Sequence, residues 1–84
     1  MIRVLYFASL RERLGRDADE LELPAGVADV AALLQHLRQR GQPWAQALAA
    51  DQTLLVARNQ EMAVLETPVA DGDEVGIFPP VTGG

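Results

Sequence analysis

The chain has no cysteine and no lysine, one histidine (His36) and one serine (Ser9). Without cysteine, disulfide scaffolds, thiolate zinc sites and thiol nucleophiles are excluded. A lone histidine excludes a multi-His metal centre. Ser9, in Phe7-Ala8-Ser9-Leu10-Arg11, lacks the glycine-flanked turn of a nucleophile elbow. The longest apolar runs, Val4 to Ala8 and Val30 to Leu34, are five residues each. A membrane helix needs about 18, so no membrane span is expected. No basic segment precedes an apolar block, so no secretory signal is expected and a cytoplasmic location follows. Positive charge is scarce as well: seven arginines against twelve acidic residues leave a net charge of −5. Nucleic-acid binding needs clustered basic side chains. Only Arg11, Arg13 and Arg16 approach a cluster, so neither nucleic acid nor an anionic membrane is expected as a partner. An acidic body of this kind is steered toward basic surfaces. The chemistry this chain takes part in is not expected to rest on a conventional side-chain active site.

What is present reads as one small domain. Ile2 to Ala8 is rich in β-branched and aromatic residues, a strand. Ser9 to Arg16 is a loop or short helical turn. Glu20 to Leu23 alternates polar and apolar, the period of a strand with one wet face. Val30, Leu33, Leu34 and Leu37 form a helical stripe, with Asp29 in its first turn, Arg38 and Arg40 in its last, and Gly41 as its stop. Pro43 to Ala50 reads as a second short helix anchored by Trp44. Thr53 to Ala57, Met62 to Leu65 and Glu74 to Phe78 are three further strands, with turns at Asn59-Gln60 and Asp71-Gly72. This order predicts an α+β β-grasp (ubiquitin-like) roll. Its mixed sheet has about five strands, one main helix packs on one face, and the first and last strands lie side by side at the centre. Residues 1–79 form the domain and 80–84 an extended, flexible C-terminal tail.

The tail carries the chemistry. In Phe78-Pro79-Pro80-Val81-Thr82-Gly83-Gly84, two prolines favour an extended exit from the sheet and two glycines present backbone without side chains. Six residues beyond Phe78 reach at most about 20 Å. Such a span would let a terminal carboxylate enter a narrow slot of another protein while the body stays outside. A carboxylate is a poor electrophile. Adenylation supplies a phosphate leaving group, and a sulfur donor then leaves a thiocarboxylate on the last glycine. Such a carrier needs no cysteine. The bland alternative is an inert tail, since chain ends are commonly small and polar.

On the N-terminal Ile2 to Ala8, the segment Val56-Ala57-Arg58-Asn59-Gln60, the stretch Asp71-Gly72-Asp73-Glu74-Val75 and the Pro-Pro-Val-Thr-Gly-Gly tail, the chain resembles the ubiquitin-like MoaD/ThiS sulfur-carrier family along its whole length. The Pro-Pro before Gly-Gly resembles its molybdopterin synthase small subunits in particular. The resemblance implies that a MoeB-type enzyme adenylates Gly84 with ATP and that a sulfurtransferase system converts it to a thiocarboxylate. The tail, including Gly83, then enters a MoaE-type large subunit and gives sulfur to cyclic pyranopterin monophosphate (precursor Z). Two transfers make the dithiolene of molybdopterin. The implied assembly is a heterotetramer. Catalytic side chains belong to the large subunit, and the carrier holds no permanent cofactor. A carrier for thiamine or another sulfur pathway, or a ubiquitin-like protein modifier, stands as the alternative.

Strand parity adds a surface. If Ile2, Val4 and Tyr6 face the helix, then Phe7 and Phe78 share the opposite face of neighbouring strands, and Met62 joins them. The implied family docks through such a patch beside the tail, so the partner-binding set is Phe7, Met62, Phe78, Pro79, Pro80, Val81, Thr82, Gly83 and Gly84. Asp71-Gly72-Asp73-Glu74 lacks the spaced ligands of a calcium loop and is expected to be a tight turn with a solvated acidic face. His36 is expected on the helix surface, Trp44 as a core or rim anchor, and Arg11, Arg13 and Arg16 in a wet loop. Without lysine, the chain cannot build isopeptide chains on its own side chains.

Overall fold

The computed structural model describes residues 1–49 and 53–79. Its elements run β1 (Ile2–Tyr6), α1 (Ser9–Leu14), β2 (Ala18–Leu21), α2 (Val30–Arg38), α3 (Trp44–Ala47), β3 (Leu55–Arg58), β4 (Glu61–Ala63) and β5 (Glu74–Phe78). The five strands form one mixed sheet in the order β2-β1-β5-β3-β4. β1 and β5 are parallel at its centre, and the other pairings are antiparallel. This is the expected β-grasp roll.

One face of the sheet is buried. Ile2, Val4 and Tyr6 of β1, Val56 of β3, and Val75 and Ile77 of β5 meet Val30, Leu33, Leu34 and Leu37 of α2 in a single core. The helical spacing of those four residues puts them on one stripe, which is why α2 lies along the sheet. Leu10 and Leu14 of α1 and Ala47 and Leu48 at α3 close its ends.

Several boundaries differ from the sequence expectation. Asp29 is the N-cap of α2 rather than part of its first turn, and its side chain accepts from the Ala32 amide at 2.8 Å. Strand β2 spans Ala18–Leu21, not 20–23. Leu21 already pairs with Ile2, the first residue of β1, so alternation continues past the point where a partner exists. Strand β3 starts at Leu55 and ends at Arg58. The Asn59-Gln60 turn, with φ of 50° and 70°, sets Arg58 opposite Glu61 and Val56 opposite Ala63, and strand β4 ends there because the Val64 amide donates to Thr67 Oγ1 and its carbonyl accepts from the Thr67 amide. Val64 and Leu65, expected in that strand, are exposed beyond it. Ser9 to Leu14 is helical, closed by Gly15 in the left-handed region at φ 72°. Pro43 is the N-cap of α3, and its carbonyl accepts from the Ala47 amide.

Candidate functional site: the open face of the sheet

The face without helices carries one charged row, Glu20–Arg3–Glu74, and beyond it small and apolar residues. In register across the strands, Leu5 of β1 pairs with Gly76 of β5, Gly76 with Ala57 of β3, and Ala57 with Met62 of β4. The next level carries Phe78 opposite Leu55. Phe7, one residue past β1, donates its amide to the Ile77 carbonyl at 3.2 Å. Its ring stacks on that of Phe78 with centroids 4.5 Å apart and planes 6° from parallel. Both rings are half-buried, while Leu55 and Met62 are 38% and 68% exposed. Strand parity therefore placed Phe7, Phe78 and Met62 on one face correctly. Phe7 and Phe78 touch, and Met62 lies two strands away on the edge strand.

Gly76 makes the platform flat. A Cβ there would lie 2.9 Å from Cε2 of Phe7, so its absence lets the ring settle over the strand. Strand alternation puts Gly76 on the face of Phe78, but this role depends on the parallel register with β1, which alternation does not show. Ala8, at φ 53° and ψ −130°, turns the chain straight from Phe7 into α1, and the Leu10 amide donates to the Phe7 carbonyl.

The chain leaves the sheet from this patch. β1 and β5 run in the same direction, so Pro79 follows Phe78 at the Phe7 end. Pro79 is half-buried there. Pro80, Val81, Thr82, Gly83 and Gly84 lie outside the described residues.

Two polar networks brace this scaffold. Asp73, expected on a solvated acidic face, is buried instead. Its carboxylate accepts from Arg58 Nε at 2.8 Å, Asn59 Nδ2 at 3.1 Å and the Ala70 amide at 2.8 Å. These donors, the Arg58 guanidinium first, outweigh the cost of burial and hold its carboxyl below the ordinary range. Asn59 Oδ1 in turn accepts from the Glu74 amide, tying the β3–β4 turn to the start of β5. The second network joins Tyr6, Asp19 and Trp44. Trp44 Nε1 donates to the Tyr6 hydroxyl at 3.3 Å, which donates to Asp19 at 2.8 Å. Burial pushes the Tyr6 phenol up to about 12, so it stays a neutral donor. Burial disfavours the Asp19 charge, but the bonds from Tyr6 and Arg16 and the nearby Arg40 charge prevail and lower its pKa. Arg16 and Arg40 both pair with Asp19 and sit 5.0 and 5.1 Å from the Trp44 ring centroid. Trp44 is thus a rim anchor, as expected.

Arg16 lies in the exposed loop between α1 and β2, as expected, and joins this network from there, whereas Arg11 and Arg13 are exposed on the helix α1 rather than in a loop. His36 is half-buried on α2. Among the described residues no group of three or more His, Cys, Asp or Glu side chains could hold a metal ion. None of their helices is long and apolar enough to cross a membrane. An apolar hollow of about 300 Å³ between Leu34, Leu48, Leu54 and Leu65 lies on the helix side, away from the phenylalanine pair. The open face thus carries a stacked aromatic pair and a row of small and apolar residues beside the point where the chain leaves β5.

The profile of the ThiS family matches residues 4–84. The chain belongs to the ThiS family. It is 49% identical, over the full length of both chains, to the molybdopterin synthase sulfur carrier subunit of Escherichia coli (strain K12). Among solved structures, this ThiS-family chain is similar to a Pyrococcus furiosus protein described as molybdopterin converting factor, subunit 1. That likeness has 30% identity and a TM-score of 0.75 over 95% of this chain and 97% of the other. It is also similar to SAMP1 of Haloferax volcanii, at 31% identity and a TM-score of 0.74 over 99% and 98% of the two chains. The family resemblance and the ubiquitin-like roll read from the tail and strands both hold.

Proposed function

We propose that this ThiS-family chain is the sulfur-carrier small subunit of a molybdopterin synthase and works in the cytoplasm. The observation that carries the reading is identity to a sulfur carrier subunit at about half of all positions from end to end. A subunit has a partner, and the reading assigns the synthase's large subunit to that place. A MoeB-type adenylating enzyme and a sulfurtransferase complete the proposed cycle.

The chemistry runs on the backbone carbonyl of Gly84. A carboxylate oxygen attacks the α-phosphorus of ATP in the activating enzyme, and pyrophosphate leaves. A hydrosulfide equivalent from the donor attacks the acyl carbon, AMP leaves, and the sulfur stays as a thiocarboxylate. The stacked Phe7–Phe78 pair and Met62 are proposed to seat the body on its partner while residues 80–84, ending in Gly83 and Gly84, enter the active site. There the thiocarboxylate gives its sulfur to cyclic pyranopterin monophosphate, and two turns build the dithiolene. The reacting atom in this reading is the carrier's own Gly84 carboxylate, and the platform serves to position it.

Mass analysis of the intact protein from cells tests this reading. A fraction should carry sulfur in place of one oxygen, and incubation with ATP and the activating enzyme should yield the acyl-adenylate. Absence of both with competent partners would refute it. The SAMP1 neighbour, a small archaeal modifier protein, keeps protein modification as a second reading. A ladder of conjugates on a blot, lost on deleting Gly84, would favour that one.

A further inference from the structure

A chain without cysteine has its only side-chain sulfur in Met1 and Met62. The two residues are similarly exposed, 56% and 68%, but they occupy opposite places. Met1 precedes β1 at the end of the sheet away from the phenylalanine pair, where its carbonyl accepts from the Gly72 amide. Met62 ends the row Leu5–Gly76–Ala57–Met62 on the open face. That row has no side-chain hydrogen-bond donor. An oxygen added to the Met62 sulfur would therefore find no partner along that row, and docking onto an apolar partner surface would bury it unpaired.

We propose that Met62 is a thioether oxidation site through which a peroxide disables docking of the free carrier. The inference rests on the reading that the open face seats the large subunit. In the step, a sulfur lone pair attacks one oxygen of hydrogen peroxide. The S–O bond forms, the O–O bond breaks, and water leaves. The sulfur is oxidised by two electrons and the peroxide is reduced. The product is a sulfoxide, polar and chiral, which methionine sulfoxide reductases return to the thioether. The docked carrier is shielded, because the same sulfur lies under the partner.

The experiment treats the full-length carrier with hydrogen peroxide, locates the added oxygen by peptide mass, and measures affinity for the purified large subunit. Oxidation of Met62 should weaken binding roughly tenfold or more, and reductase treatment should restore it. Oxidation confined to Met1 should leave affinity unchanged. A Met62→Leu carrier, whatever its starting affinity, should lose its response to peroxide. Prior binding of the large subunit should slow oxidation of Met62 but not of Met1. Full oxidation of Met62 with unchanged affinity would overturn the inference. Phe78→Ala separates the two readings. If it weakens binding while oxidised Met62 does not, only the redox inference fails. If neither change weakens binding, the docking reading fails as well.

Discussion

Replacing Asp73 by alanine should loosen the β3–β4 turn from the loop before β5, leaving only the Asn59–Glu74 bonds to hold them together. The carboxylate accepts two bonds of 2.8 Å, from Arg58 Nε and the Ala70 amide, one of 3.1 Å from Asn59, and a long one of 3.5 Å from Arg58 Nη2. Net contributions of bonds to charged groups run about 1.5–3 kcal/mol each. The Arg58 side chain is 37% exposed and regains water when freed, so its share is discounted. The Ala70 amide loses its acceptor outright. Together these place the cost at about 2–4 kcal/mol, which for a domain of this size lowers Tm by roughly 10–25 °C. Urea unfolding should show the loss as a lower midpoint with an unchanged slope. The pH dependence gives a second reading. The folded-state pKa of Asp73 lies below its unfolded value. The stabilisation is therefore fully present above the ordinary carboxylate range and is lost as pH falls through the folded value. The gap between wild type and Asp73→Ala should narrow as pH falls below about 4. A cost under about 1 kcal/mol at neutral pH, or a gap that does not narrow in acid, would refute this account.

Two further perturbations follow from the platform and the helix. Gly76→Val would place branched carbons where the Phe7 ring lies, so the near-parallel stack should break and affinity for the large subunit should fall several-fold. A near-ultraviolet or NMR signature of the ring pair checks the first and a binding titration the second, with far-ultraviolet signal retained. Asp29→Ala removes the cap on the Ala32 amide and should cost about 1 kcal/mol in chemical denaturation, whereas Asp29→Ser should recover most of it.

Much of this fold was legible because its periodicities are strong. The stripe Val30, Leu33, Leu34, Leu37 located α2, and the alternation in β1 and β5 put Phe7 and Phe78 on the same face before any pairing was known. The errors arose where a property depends on distant residues. Leu23 continues the alternation of β2, but the ladder stops where β1 begins. Asp73 sits in a run of acidic residues and looks solvated. Its burial is set by Arg58 and Asn59, 15 and 14 residues earlier in the chain, which only the β3–β5 pairing brings near. Gly76 could be read as a neutral strand residue until the parallel register set Phe7 above it.

The placement of β5 between β1 and β3 has a consequence for biosynthesis. The last strand made is the keystone of the sheet. Until it emerges, the nascent polypeptide holds two separate hairpins, β1–β2 and β3–β4, each with an unpaired rim that invites pairing with foreign strands. Assembly must wait for the most remote segment to arrive, as in other topologies dominated by non-local contacts. Ribosome-bound chains stalled before Glu74 should therefore be protease-sensitive throughout, and a carrier nicked in β5 should fall apart as a whole rather than fray at one margin.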